Sequence, residues 1–173
     1  GIPKTGVFGL YDLIGIDLMA DVLKSFVKEL PKQDPFQVVA KEIPLVKKLI
    51  ETGYTGRKGK GGFYRINKTN NQKILEAINL ESGDYSTSKK IDMGIETVNL
   101  KELINRKDKY GEYSWSVISK IIKYASSLVP GITDKFNDID EAMRLGFNWA
   151  MGPFEMLKSI GVNEFFNRID DFK

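Results

Sequence analysis

One glycine-bounded pattern occurs twice in this 173-residue chain and restricts its fold more than any other feature. The first copy is GVFGLYDLIGID at residues 6–17, and the second is GPFEMLKSIGVN at residues 152–163. In both copies two glycines lie nine residues apart, and apolar residues occupy matching positions between them. Pro153 suits the first turn of a helix, where its missing N–H costs nothing, and Gly161 is typical of a helix end. Each copy is therefore predicted to form a short helix that another helix follows at once.

The two copies are offset by 146 residues (152 − 6), and only the second has a complete front half. The segment that leads into the second copy, residues 138–151, has no full counterpart, because the offset places most of it before residue 1. We therefore expect the chain to be a piece of a longer protein built on a repeat.

An acidic cluster, Asp138, Asp140 and Glu141, precedes the second copy. Paired carboxylates can bind a metal ion or act as acid and base. In the first turn of a helix they also complement the helix dipole, and this structural role is the interpretation that we favour. Similarly, Trp115 and Trp149 could belong to a cofactor site, but aromatic residues at helical spacing are more typical of a core.

The chain contains neither cysteine nor histidine. Histidine is the commonest general base near neutral pH, and cysteine supplies thiolate nucleophiles and zinc ligands. The usual hydrolase triads and most zinc sites are thus excluded for this chain alone, and no metal site is predicted. Without cysteines, a signal peptide or a long apolar run, we expect a cytoplasmic location and no membrane span.

Apolar residues elsewhere recur with helical spacing, and no segment shows the clear alternation that marks a strand. The chain is therefore predicted to be all-α, with loops between its helices. Proline and glycine mark helix ends, as at Pro31 and Gly53. Besides the two copies, the predicted helices cover residues 18–30, 35–42, 44–52, 72–78, 100–106, 112–129, 134–147 and the segment after residue 163.

The segment YTGRKGKGGFYRI, residues 54–66, is too rich in glycine to be helical and is predicted to be a loop anchored by Phe63 and Tyr64. It does not fit the P-loop, because its glycines are not followed by Lys-Ser/Thr. It does not fit the dinucleotide fingerprint either, because the third glycine of that pattern is missing. Residues 41–68 carry eight basic and two acidic side chains. Such a segment can bind phosphate or be a solvated face, and both interpretations stay open. Nucleic acid is not an expected partner, because the basic residues are few and belong to no known module.

The glycine-bounded pattern at residues 6–17 is the first motif of interest here, and the glycine-rich loop at residues 54–66 is the second. Taken together, these two motifs resemble the C-terminal domain of 3-hydroxyacyl-CoA dehydrogenases. Residues 6–17 are similar to the family pattern G-P-F-E-L-x-D-x-x-G-L-D, with Val7 in place of its proline and Gly9 in place of its glutamate. Residues 56–64 are similar to its loop G-x-K-x-G-x-G-F-Y and end, like it, in Gly-Phe-Tyr. Other segments resemble the long bacterial form of these enzymes, which carries two copies of the helical domain and is often fused to an enoyl-CoA hydratase. These segments are Asp84-Tyr85, Tyr124-Ala125 and I-D-x-A-M at residues 139–143.

The resemblance implies a helical fold similar to the C-terminal domain of 6-phosphogluconate dehydrogenase. The first helical repeat would occupy residues 1–68 and lack its front half, and the second would occupy residues 110–173, with a linker at residues 69–109. Single-copy members of the family make a dimer contact through this domain. The two repeats are therefore expected to pack as an internal pseudo-dimer, with their glycine-bounded helices facing each other.

The resemblance also implies that the chemistry lies outside this chain. In the family, a preceding Rossmann domain binds NAD and supplies a histidine–glutamate pair that removes the hydroxyl proton of the substrate. Neither is present here, so no catalytic, cofactor-binding or metal-binding residue is assigned, and NAD is expected only in the full-length enzyme. The helical domain closes the acyl-CoA cleft, which Val7, Phe8 and Leu13 would line. Lys58 and Lys60 would approach a phosphate of coenzyme A.

The expected function is that of the C-terminal domain of an NAD-dependent 3-hydroxyacyl-CoA dehydrogenase of fatty-acid β-oxidation. It would contribute to the acyl-CoA cleft and to domain or dimer packing, and it would not be catalytic alone. Its expected partners are the acyl-CoA substrate and the Rossmann domain. The alternative is a stand-alone helical interaction module, or the product of a decayed gene, that binds a partner through its basic loop.

Overall fold

The computed structural model describes residues 6–69, 72–89 and 99–170. These residues form nine helices and three strands. They divide into two compact units, one with the described residues up to 89 and the other with those from 99. The predicted helical class is confirmed, with a small sheet added to it. A membrane span needs about 20 apolar residues in a helix, and no described helix meets that requirement. The predicted repeats also include residues 1–5 and 171–173, which lie outside the described residues.

Four helices open the first unit, and glycine and proline set several of their ends. Gly15, at φ 118°, ends the first helix and precedes the second, as the glycine pattern predicts. The second helix ends before Pro31, and Pro44 is the first residue of the fourth. The helices are α1 (Val7–Ile14), α2 (Ile16–Glu29), α3 (Phe36–Val39) and α4 (Pro44–Glu51).

The glycine-rich loop leads into a three-stranded antiparallel sheet with the order β1-β2-β3. The strands are β1 (Tyr64–Thr69), β2 (Gln72–Ile78) and β3 (Tyr85–Thr87). The predicted helix at residues 72–78, and the expectation of helices and loops alone, are wrong here. The apolar residues of β2 fit a helix equally well, but pairing with β1 decides its structure, because Arg65 lies opposite Glu76 and binds it.

The core of the first unit is small and combines residues from the helices and from the start of the sheet. Ile16, Leu49 and Phe63 are buried. The partly buried residues that pack against them are Tyr11, Leu45, Val46, Ile50, Tyr54 and Ile78. Because Phe63 belongs to the end of the glycine-rich loop, the predicted anchoring of that loop is confirmed for Phe63, whereas Tyr64 is 38% exposed and lies outside this core.

Five helices form the second unit around a larger core. They are α5 (Leu100–Asn105), α6 (Lys109–Ser127), α7 (Phe136–Phe147), α8 (Pro153–Ile160) and α9 (Val162–Asp170). Trp115 and Phe165 lie in this core with their ring centres 5.4 Å apart, so the interpretation of Trp115 as a core residue is confirmed. The residues buried with them are Ile104, Ile118, Ile122, Met156 and Ile160.

The predicted linker, residues 69–109, is structured along much of its described length. β2 and β3 belong to the first unit, whereas α5 packs against α6 and α8 in the second. The boundaries of the two repeats and their packing as a pseudo-dimer stay predictions.

Candidate functional site

The predicted acyl-binding residues lie on α1, which exposes much of its apolar surface. Val7, Phe8 and Leu13 are 58%, 40% and 49% exposed, respectively. Val7, Leu10 and Leu13 are spaced three residues apart and therefore follow one side of the helix. The ring of Phe8 packs against that of Phe63, with 4.7 Å between their centres. α1 thus presents an apolar strip, formed by Val7, Leu10 and Leu13, that the described residues leave exposed.

The two copies of the repeated pattern begin their helices at equivalent residues but cap them differently. α1 begins at Val7 and α8 at Pro153, so valine in place of proline leaves the helix start unchanged. In α8 the N–H of Gly152 donates to the carboxylate of Glu155 at 2.8 Å. Gly9 occupies the position equivalent to Glu155 and has no such acceptor. No side chain of the described residues caps α1.

Asp12 connects α1 to the glycine-rich loop. It is 3% exposed, and its carboxylate accepts hydrogen bonds from the N–H groups of Phe63 and Tyr64, both at 2.8 Å. The carbonyl oxygen of Asp12 accepts another from the N–H of Arg57 at 2.7 Å. A Cβ at Gly62 would lie 2.0 Å from Asp12 Oδ1, so a side chain there would displace the carboxylate. The aspartate of the first motif and the Gly-Phe-Tyr of the second therefore form one structural element.

Asp140 has a comparable role in the second unit. It is 4% exposed and accepts hydrogen bonds from the N–H groups of Phe154, at 2.8 Å, and Glu155, at 3.1 Å, at the start of α8. Burial raises the pKa of Asp140, and these N–H groups oppose the rise. The interpretation that the acidic residues complement their own helix dipole needs correction here: Asp138 lies in the first turn of α7, but Asp140 caps the next helix. The described residues hold no group of three or more acidic side chains placed to bind a metal.

A cavity of about 630 Å³ opens beside α1 and the glycine-rich loop. Its described lining residues are Gly9, Asp12, Arg57, Gly59, Lys60, Gly61, Tyr64, Arg65, Ile66 and Leu75. Among the residues predicted from the sequence, Lys60 lines the cavity, whereas Lys58, Val7, Phe8 and Leu13 do not. The structure therefore separates two features, the apolar strip of α1 and a basic cavity next to that helix.

Arg65 is held in place by three neighbours. Its Nε donates to the carboxylate of Glu76 at 2.6 Å, a terminal nitrogen donates to the hydroxyl of Tyr54 at 3.3 Å, and its guanidinium lies 3.9 Å from the ring centre of Tyr85. The hydrogen bond to Glu76 raises the pKa of Arg65. Tyr85 donates its hydroxyl to the carbonyl of Gly62 at 2.5 Å, and burial raises the pKa of Tyr85 to about 12. These contacts fix the sheet to the loop, and Glu76 balances the charge of Arg65.

Arg57 and Lys60 keep their charges available. The Nζ of Lys60 donates to the carbonyl of Thr52 at 3.1 Å, and no ion pair of either residue is found in the described part of the chain. The sequence pattern did not identify Arg57, because a glycine-rich loop does not reveal which of its basic side chains faces a cavity. It also did not identify the role of Asp12, although the fixed place of an aspartate in the first motif was a usable signal.

Comparison with known families gives a match over most of the chain. The sequence model of the 3-hydroxyacyl-CoA dehydrogenase C-terminal domain matches residues 1–66 and 116–169. The chain belongs to this family. Each matched segment of the dehydrogenase domain contains one copy of the glycine-bounded helix, α1 or α8. The first segment also contains Asp12 and the loop that Asp12 binds.

Three curated relatives of the chain are much longer than it is. It is 43% identical over 157 residues to a putative fatty acid oxidation complex trifunctional enzyme of Rickettsia felis, covering 91% of this chain and 22% of the relative. The protein of the same description in Rickettsia prowazekii is 40% identical over 169 residues, covering 98% and 23%. A probable 3-hydroxyacyl-CoA dehydrogenase of Bacillus subtilis is 31% identical over 173 residues, covering 95% and 21%. The chain thus spans about a fifth of the length of these relatives. No solved structure matches it.

Proposed function

We propose that this chain is the helical C-terminal part of an NAD-dependent 3-hydroxyacyl-CoA dehydrogenase of fatty-acid β-oxidation. Such an enzyme oxidises a 3-hydroxyacyl-CoA to the 3-oxoacyl-CoA. The observation that carries the proposal is the family match of both segments, the first of which contains the Asp12 contact between the two motifs. The names of the two Rickettsia relatives support a role in fatty-acid oxidation.

Within that enzyme, the apolar surface of α1 contributes to the acyl-CoA cleft. Val7, Phe8 and Leu13 leave much of their surface in water. Removing apolar surface from water is favourable by about 25 cal/mol per Å². An acyl chain offers only apolar surface, so contact with α1 would stabilise its binding without any hydrogen bond. Lys58 and Lys60, on the neighbouring loop, are the proposed contacts for a coenzyme A phosphate.

The described residues do not fit NAD. A dinucleotide fingerprint needs a glycine-rich turn that follows a strand and opens a helix. The loop at residues 56–62 instead follows α4 and precedes β1. The chain also contains no histidine to take the hydroxyl proton of the substrate. NAD and the catalytic base are therefore assigned to a Rossmann domain of the longer enzyme, and the chain alone is not catalytic.

The same proposal includes the packing of the two repeats against each other and the location of the protein in the cell. The repeat supports a pseudo-dimer contact between residues 1–68 and 110–173, with α1 facing α8. Cross-linking of cysteines introduced on the exposed positions Leu10 and Lys158 tests this contact, and failure to cross-link under oxidation counts against it. The absence of native cysteine supports a reducing, cytoplasmic location.

A chimera tests the function directly. The matching region of the Rickettsia felis relative is replaced by this chain, and oxidation of 3-hydroxybutyryl-CoA is followed through the absorbance of NADH. We expect dehydrogenase activity, with roughly tenfold lower kcat/KM in Leu13→Ser because apolar contact with the acyl group is lost. Val38→Ser is the matched control, since Val38 is 72% exposed on α3.

The chimera also distinguishes the enzyme from the alternative interaction module. Circular dichroism and NAD binding establish that it is folded. A folded chimera that binds NAD but does not oxidise the substrate contradicts the proposed function. Equal activity of Leu13→Ser and Val38→Ser contradicts the role of α1 in the cleft.

A further inference from the structure

The cavity beside the glycine-rich loop has an apolar floor on one face of the sheet. Tyr64, Ile66 and Leu75 line it and are 38%, 53% and 46% exposed. Tyr64 and Ile66 are two residues apart on β1 and therefore point to the same face, and Leu75 lies opposite Ile66 on β2. Exposed sheet faces usually carry polar side chains. This continuous apolar patch inside a cavity therefore points to a ligand with a flat apolar surface.

The rim of the cavity is basic. Arg57, Lys60 and Arg65 line it, against one carboxylate among the described lining residues, Asp12. Both oxygens of Asp12 already accept backbone hydrogen bonds, and Arg65 is paired with Glu76. The positive charge available to a ligand therefore comes from Arg57 and Lys60.

Three glycines, Gly9, Gly59 and Gly61, also line the cavity, so a ligand there can approach the backbone. In the second copy of the repeat, the residue equivalent to Gly9 is Glu155, whose carboxylate pairs with Arg144. A glutamate at position 9 would bring negative charge to the cavity. Glycine at position 9 thus adds no negative charge to the basic cavity.

From these features we infer that the cavity binds a phosphorylated nucleoside, with its base on the apolar floor and its phosphates on Arg57 and Lys60. Bases stack on aromatic side chains, and a guanidinium group binds phosphate through paired, charge-assisted hydrogen bonds. The volume of about 630 Å³ falls within the range of about 300–1,000 Å³ that is usual for ligand pockets. The inference rests on the proposed function for its ligand, since the adenosine of acyl-CoA is phosphorylated at both its 3′ and its 5′ oxygen, as in adenosine 3′,5′-bisphosphate.

Calorimetric titration of the full chain with adenosine 3′,5′-bisphosphate tests the site, with ADP, adenosine and inorganic phosphate as comparison ligands. We expect saturable binding of the bisphosphate that is tighter than that of each comparison ligand. Arg57→Gln is expected to weaken binding about tenfold, because a charge-assisted bond to phosphate is lost. Leu75→Thr, which keeps a strand-forming residue, is expected to weaken binding of the bisphosphate. Lys32→Gln removes one charge outside the cavity lining and is expected to leave binding unchanged.

Two results overturn the site: equal binding by Arg57→Gln and Lys32→Gln, and binding of inorganic phosphate as tight as that of the bisphosphate. Tighter binding of ADP than of the bisphosphate overturns the assignment to coenzyme A. Circular dichroism verifies the fold of each variant. If Arg57→Gln does not fold, Arg57→Lys replaces it, and unchanged affinity there also counts against a guanidinium–phosphate pair. An active chimera together with a chain that does not bind the bisphosphate rejects this site alone, whereas an inactive chimera with bisphosphate binding rejects the proposed function alone.

Discussion

Asp12 and Phe63 are 51 residues apart in the chain, yet the carboxylate of Asp12 accepts a 2.8 Å hydrogen bond from the N–H of Phe63. A second bond of 2.8 Å comes from the N–H of Tyr64. A buried carboxylate is unfavourable unless its oxygens are hydrogen-bonded, and these two groups satisfy both oxygens at the point where the loop becomes β1. α1 and the loop therefore stabilise each other, and the cavity between them is a fixed feature of the first unit.

Replacement of Asp12 by asparagine tests this connection. The amide can accept only through its oxygen, so one of the two buried N–H groups would face an NH₂ group and lose its partner. We expect the free energy of unfolding of the first unit to fall by about 1–3 kcal/mol. Urea unfolding followed by circular dichroism measures the change.

The matched control for Asp12→Asn is Asp21→Asn. The side chain of Asp21 is 72% exposed and pairs with Lys24 on the surface of α2, so its loss should change stability by no more than about 0.5 kcal/mol. Equal effects of the two substitutions would contradict a structural role for the Asp12 carboxylate.

Replacement by alanine is expected to have opposite effects on stability at Gly152 and at Gly146. A Cβ at Gly152 would lie 2.2 Å from Asp140 Oδ1 and 2.3 Å from Asp140 Cα, so Gly152→Ala must displace the residue that caps α8. We expect a loss of about 1–3 kcal/mol or more from overpacking. A Cβ at Gly146 would meet nothing within 4 Å, and this residue lies inside α7, so Gly146→Ala should stabilise by roughly 0.5–1 kcal/mol.

The measurement for this pair is urea unfolding followed by tryptophan fluorescence. Both tryptophans, Trp115 and Trp149, belong to the second unit, so the signal reports on the unit that carries the substitutions. A Gly152→Ala chain as stable as the unsubstituted chain would refute the close packing of Asp140 against Gly152.

The helical elements could be predicted because the spacing of their apolar residues and the glycine and proline residues at their ends indicate the same structure. The glycine pattern predicted the short helices α1 and α8. Pro31 predicted the C-terminal end of α2, and Pro44 predicted the start of α4. β2 could not be predicted in the same way. Its apolar residues suit either structure, and the decision rests on pairing with β1, whose own strand character depends on the anchored Phe63.

The candidate site was predictable only in part, for a related reason. The sequence marks a basic, glycine-rich loop but does not show which side chains share a cavity, because glycine allows many backbone paths. Lys60 was predicted and lines the cavity, while Arg57 and the apolar floor depend on how the loop closes on α1. The role of Asp140 was misjudged because the helix that it caps follows its own helix in the chain.

The pKa values of two carboxyl groups in the second unit are expected to be shifted in opposite directions. Asp108 accepts hydrogen bonds from Arg106 and from the N–H of Gly111, which lower its pKa from 3.8 to about 2. Its folded pKa is thus below its unfolded value. Its contribution to stability is present above pH 3.8 and is lost as the pH falls through about 2. For Asp140 burial raises the pKa above 3.8, so its contribution is present below pH 3.8 and is lost as the pH rises through the folded value.

Carbon-13 NMR of the carboxyl groups measures both pKa values in one titration. We expect the midpoint of Asp108 near 2 and that of Asp140 above 3.8. Arg106→Gln should raise the midpoint of Asp108 and leave that of Asp140 unchanged, because Arg106 is the largest cause of the shift only at Asp108. A midpoint of Asp140 below 3.8 would show that its N–H partners outweigh its burial.

The chain alone should not consume NADH in the presence of acetoacetyl-CoA. The reaction needs an acid–base group with a pKa near neutrality, and histidine is absent. Tyr85, beside the cavity, has its pKa raised to about 12 by burial, and its hydroxyl donates a hydrogen bond to the carbonyl of Gly62. Asp12 is buried with both oxygens bonded to backbone N–H groups. We therefore expect the absorbance of NADH to fall no faster than in buffer, while the Rickettsia felis chimera provides the positive control. A rate that rises in proportion to the concentration of the chain would contradict the assignment of the chemistry to another domain.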